Sequence, residues 1–129
     1  MRFYPHSPRI DFRTKVSWYE SKKFLKSYFP CSLRTDFATF EVSSGLLKRP
    51  IHTNTEWDCA RYEVHAHRFA CLQEPKVGVA ILNDCKYGYS VRDQTIGLSL
   101  LKAGEFPYEK TDKQEHEFVY SMMTFTKME

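Results

Sequence analysis

From Ile10 to Trp18 the chain repeats every two residues. Ile10, Phe12, Thr14, Val16 and Trp18 alternate with Arg9, Asp11, Arg13, Lys15 and Ser17. Successive side chains of a strand point to opposite faces, so this pattern predicts a long strand with one face buried and the other in water. The same period recurs at Ala38, Phe40 and Val42, which run into a turn at Ser43-Ser44-Gly45. Tyr62, Val64 and Ala66 share one face of a further strand, with Glu63, His65 and His67 on the other. Ile96, Leu98 and Leu100, and then Phe118, Tyr120 and Met122, repeat it again. Phe24 to Phe29 is a strand ended by Pro30, and Val77 to Leu82 is nearly continuous apolar, as in a strand covered on both faces. Pro50 limits pairing in its neighbourhood. Turns are expected at Asn83-Asp84 and Arg92-Asp93-Gln94, a loop over Thr53 to Asp58 and a polar linker over Ala103 to Glu115. No amphipathic helix stands out. These features predict an all-β, antiparallel β-sandwich.

Length and charge narrow the partners. A chain of 129 residues is one domain or part of one, long enough to bury a core without covalent staples. A formal net charge of +3, spread along the chain, forms no dense basic patch, which argues against nucleic acid. No apolar run reaches the ~20 residues that span a bilayer, so no membrane partner is expected. Cys31, Cys59, Cys71 and Cys85 include no Cys-x-x-Cys pair, which argues against a zinc ribbon or redox motif. The N-terminal residues Met1 to His6 carry no apolar signal region, so reduced cysteines and a cytoplasmic location are expected.

Specific motifs go further. Trp18, Glu20 and the run Lys22-Lys23-Phe24-Leu25-Lys26 come first, followed by Ala38-Thr39-Phe40-Glu41. Then come Arg49-Pro50, His52, Asn54-Thr55 and Trp57-Asp58, and after them Arg61-Tyr62-Glu63-Val64, Ala66-His67-Arg68 and Leu72. The unbroken run Leu82-Asn83-Asp84-Cys85-Lys86-Tyr87-Gly88 precedes Ser99-Leu100-Leu101 and His116-Glu117-Phe118. In this order and spacing the motifs resemble the α-mannosidases of glycoside hydrolase family 38, most of all their cytosolic-type branch. The sequence departs from that pattern at Tyr19, where His is frequent, and at Lys102, where Arg is usual.

The resemblance implies that residues 1–129 are a partial C-terminal β-domain, part of a large, galactose-mutarotase-like sandwich, with both ends cut. It implies an enzyme that releases terminal α-linked mannose with two carboxylates, one nucleophile and one general acid. Those carboxylates and a zinc-type divalent metal would belong to an N-terminal catalytic barrel domain whose motifs this sequence lacks. The implied partners are that catalytic domain and a mannose-containing oligosaccharide. The alternatives are a stand-alone carbohydrate-binding β-module and a non-catalytic interaction fragment.

Asn54, Trp57 and Asp58 can contact a sugar, the tryptophan by its ring face; the simpler role for Trp57 is to seal a loop onto the sheet. Asp84, Lys86 and Tyr87 can form a substrate rim; the simpler role for Asp84 is to orient its own turn. No spacing brings Asp58 and Asp84 together as a catalytic pair. His65 and His67, two apart on a strand, can begin a metal site with His116 or Glu63, but two histidines do not complete one, and no metal site is expected here. Cys85 is expected to be a buried, inert thiol.

Overall fold

The computed structural model describes residues 1–126. Seven antiparallel strands form the larger sheet in the order β1 (Arg2–Tyr4), β2 (Ser7–Trp18), β11 (Gln114–Thr126), β8 (Val77–Asn83), β7 (Phe69–Gln73), β4 (Phe37–Val42) and β5 (Gly45–Pro50). The smaller sheet has four: β3 (Phe24–Pro30), β10 (Thr95–Lys102), β9 (Gly88–Arg92) and β6 (Val64–His65). The two sheets face each other, and the all-β sandwich expected from the period of two is what forms.

The alternation in β2 works as a sorting device. Phe12 turns inward, stacks on Tyr120 at 5.3 Å and meets the edge of Phe29 from the opposite sheet at 5.7 Å. Trp18 ends the strand buried, while Arg13, Lys15 and Ser17 face water. The Ser27 and Tyr120 hydroxyls, one from each sheet, lie 3.0 Å apart and close the layer with a polar contact. Phe40, Leu72, Ile81, Ile96 and Leu98 fill the centre and are essentially inaccessible. Each such side chain stabilises the fold by about 1.5–3 kcal/mol through burial.

Local chemistry fixes the hairpins. Asp93 and Gln94 both take positive φ, 46° and 59°, as the two-residue turn between β9 and β10 requires. Ser43 and Ser44 join β4 to β5, with Gly45 at φ 144° immediately after them. The β3–β10 register slips between Ser99 and Leu101, and consecutive Leu100 and Leu101 are both buried.

Some expectations are corrected. Thr53 to Asp58 is not all loop, because a short helix α1 (Glu56–Ala60) forms there. Thr55 caps it: the Asp58 backbone N–H donates to the Thr55 hydroxyl oxygen at 3.2 Å, and the Asp58 carboxylate accepts from the Thr55 N–H at 3.2 Å. This reciprocal pair needs only a Thr-x-x-Asp spacing and is local enough to override the loop reading. The expected strand from Tyr62 to Ala66 shrinks to Val64–His65, since β9 offers only Gly88 and Tyr89 as partners. The linker ends earlier than expected, because β11 begins at Gln114 opposite Trp18. Strands β1 and β7 have no counterpart in the expected elements, whereas β5 is the extended stretch that ends at Pro50 and pairs with β4 along its length. The run Phe69-Ala70-Cys71-Leu72 does not alternate, so period gave no signal for β7.

Candidate functional site

The run Asn83 to Gly88 links β8 to β9, and Asn83 shapes it. Its Oδ1 accepts the Lys86 N–H at 2.6 Å. Its Nδ2 donates to the His67 carbonyl at 3.0 Å and to the Tyr89 hydroxyl at 2.5 Å. Tyr89, fully buried in the core, donates in turn to the Ile81 carbonyl at 3.3 Å. Desolvation pushes its phenol up to about 12, so it stays neutral and can donate. The turn-orienting role considered for Asp84 therefore belongs to Asn83, and Asp84 stands exposed.

Asp84 and Tyr87 line an open cleft of about 490 Å³ with Glu41, Ser43, His65, His67 and Arg68. The His65 and His67 rings meet edge to face at 4.6 Å, and Tyr87 lies 6.2 Å from the first and 5.9 Å from the second. One wall is an ion pair. Arg68 donates from Nε at 3.1 Å and from Nη2 at 2.8 Å to Glu41 Oε1, and from its backbone N–H at 2.8 Å to Oε2. These bonds from Arg68 hold the Glu41 carboxyl below the usual carboxylate range, so it stays ionised and acts as an acceptor only. The cleft thus offers carboxylates, imidazoles, a hydroxyl and one exposed phenol ring. That mixture suits a neutral polyhydroxylated ligand with one less polar face.

The other sequence candidates lie elsewhere. Lys86 places its ammonium 4.6 Å over the Phe118 ring. Asn54 and Trp57 are exposed beside and on α1; Trp57 is 76% accessible and seals nothing onto the sheet, against the simpler expectation. The reason is that α1 is a single capped turn with no buried residue. Asp58 lines a different, smaller cavity with Arg49, His52, Arg61 and Arg92. Cys85 is exposed, contrary to expectation; partial desolvation first, and then Asp84, push its thiol up, which leaves it a poor nucleophile at neutral pH. No disulfide joins the four cysteines.

Among the described residues no three His, Cys, Asp or Glu side chains converge on a point. Glu63 is engaged by Ser99 and by Lys26 at 3.5 Å, and His116 Nε2 contacts the Asp112 carbonyl at 2.7 Å. The described residues thus offer no ready-made site for a divalent metal, which the resemblance assigns to another domain.

Glu41, Ser43 and Arg68 escaped sequence reasoning as site residues. Glu41 and Arg68 did stand in the quoted motifs, but 27 positions apart, and only the β4–β7 pairing brings them together.

Comparison with known proteins supplies the lineage. The family model for the glycosyl hydrolases family 38 C-terminal domain matches residues 1–110. Alpha-mannosidase 2C1 of Mus musculus is 50% identical over 116 residues, covering 90% of this chain and 11% of that protein. Alpha-mannosidase G of Dictyostelium discoideum is 45% identical over 117 residues, 91% of this chain and 11% of the relative. The chain thus spans about a tenth of the length of the curated relatives it matches. A crystal structure of an alpha-mannosidase from Enterococcus faecalis V583 superposes with a TM-score of 0.85 at 21% identity, over 94% of this chain and 15% of that one, which shows a shared fold. Among the described residues no helix is long and apolar enough to cross a membrane. The chain belongs to the C-terminal domain family of the family 38 glycosyl hydrolases.

Proposed function

We propose that this chain serves as the C-terminal β-sandwich portion of an α-mannosidase, in which it walls the sugar site while another domain performs the hydrolysis of terminal α-linked mannose. The partner is a catalytic domain outside this sequence, which supplies the two carboxylates and the zinc-type metal. The substrate is a mannose-containing oligosaccharide, and the location is the cytoplasm. Names of the relatives support the activity, since those relatives are alpha-mannosidases. The observation that carries the reading is the cleft in which Asp84 and Tyr87 meet His65 and His67. Its ionised and neutral acceptors can take hydroxyl protons, and the Tyr87 ring gives a pyranose an apolar face to lie against. The resemblance assigns nucleophile and general acid to the other domain, so the chain alone should bind mannosides weakly and hydrolyse none.

Saturation-transfer difference NMR on the 129-residue chain with an α-linked mannobiose tests the sugar contact. Transfer to the sugar protons is expected from the native chain, and its loss in Tyr87→Ala. Tyr28→Ala, on the smaller sheet and away from the cleft, should leave transfer unchanged. Absence of transfer from the native chain would remove the sugar-wall role, and release of free mannose would place catalysis within the chain.

A further inference from the structure

The motif from Arg49 to Asp58 does not feed the cleft beside Asp84. It folds around a small, partly open cavity lined by Arg49, His52, Asp58, Arg61 and Arg92, with Phe40, Val64 and Val91 as apolar wall. The free space inside is about 20 Å³, enough for one particle the size of a water molecule.

The charges around that space do not balance. Three guanidinium groups face one carboxylate. Asp58 Oδ2 already accepts from the Thr55 backbone N–H at 3.2 Å and the Thr55 hydroxyl at 2.7 Å, and lies 3.4 Å from His52 Nδ1. Arg92 spends Nη2 on the Asp58 and Cys59 carbonyls, at 3.3 and 2.9 Å. Arg49 Nε is buried and meets no acceptor among the described residues. A charged donor left without a partner against apolar walls is costly, so the cavity demands an acceptor. Water would accept, and Asp58 engages only its Oδ2, but a neutral molecule leaves the surplus of positive charge around the cavity uncompensated. A small monovalent anion accepts from several guanidinium N–H groups and brings no proton.

We propose that this cavity binds a single halide-sized anion, held by the guanidinium groups of Arg49 and Arg61 at the junction of β5, α1 and β9. The ion ties the end of β5 to the helix that carries Trp57. This site is independent of the sugar cleft and of the role proposed for it.

Thermal unfolding of the 129-residue chain in sodium chloride and in sodium gluconate at equal ionic strength tests it, since equal ionic strength cancels general screening. Gluconate is too large for the cavity. A saturable rise in Tm of roughly 2–5 °C in chloride is expected, as for any ligand that binds only the folded state. Excess broadening of the chloride-35 NMR line by the native chain reports binding directly, and Arg49→Gln should abolish it. If Arg49→Gln does not fold, Arg61→Gln, at an exposed position, should fold and raise the chloride concentration for half-maximal stabilisation several-fold. Equal Tm in both salts with no excess line broadening would show that the cavity takes water and overturn the proposal. A chloride effect unchanged in Arg61→Gln would place the ion elsewhere and overturn it as well.

Discussion

Asn83 donates to the hydroxyl of Tyr89 at 2.5 Å, so the turn that carries Asp84 and Tyr87 is anchored to the most buried phenol of the core. The bond crosses from the rim of one sheet into the centre of the sandwich. Tyr89→Phe removes both this acceptor and the donor to the Ile81 carbonyl. The expected cost is about 1–3 kcal/mol, because polar groups lose partners in a buried setting. Urea denaturation of the pair measures it, and amide exchange should quicken at Lys86 and Tyr87.

The same phenol sets an alkaline limit. Its folded pKa of about 12 lies above the ordinary tyrosine value of about 10. A neutral group held above its unfolded pKa contributes stability that is fully present below pH ~10 and is lost as pH rises from there towards 12. Stability measured from pH 9 to 12 should therefore fall less steeply in Tyr89→Phe than in the native chain.

Asp58 governs the acid side of α1. Hydrogen bonds from Thr55 come first among the causes that hold its carboxyl below the usual value, with His52 and Arg61 adding charge. A depressed pKa contributes stability that is present above the unfolded value near 3.9 and is lost as pH falls through the folded one. Carboxyl NMR titration should show Asp58 protonating below that value, with the Thr55 and Asp58 amide signals moving together. Thr55→Ala should bring its titration back towards the ordinary range.

Gly97 sits in β10 where a side chain has no room. A Cβ there would lie 2.5 Å from Ser90 Oγ and 3.0 Å from the Tyr28 ring, and Ser90 Oγ is held by Lys26 Nζ at 3.2 Å. Gly97→Ala should cost about 1–3 kcal/mol through overpacking. Denaturation midpoints would show it, and a neutral result would mean that the Tyr28 ring and Ser90 move aside freely.

Lys86 tests how the loop divides its work. An ammonium 4.6 Å over a ring is worth about 0.5–1 kcal/mol at an accessible site. Lys86→Ala should lose that much stability while leaving saturation transfer to mannobiose intact. Loss of transfer with unchanged stability would assign Lys86 to the sugar instead.

The sequence by itself determined the class of fold and the lineage. Strand alternation is written residue by residue, and in β2 the inward set of Phe12, Val16 and Trp18 needs no distant partner to be recognised. The turn at Asp93 and Gln94 and the ordered motifs from Trp18 to Phe118 are equally local. What tertiary structure decided is which motifs meet. Arg68 closes on Glu41 because β4 and β7 pair in register, and Asp84 and Tyr87 face His65 and His67 because the Tyr87 carbonyl accepts the Ala66 N–H at 3.0 Å. Asp58, a sugar-contact candidate in the sequence like Asp84, lines another cavity altogether. Period and propensity act over a few residues, whereas a site is assembled from strands that can stand far apart in the chain, as β4 and β7 do.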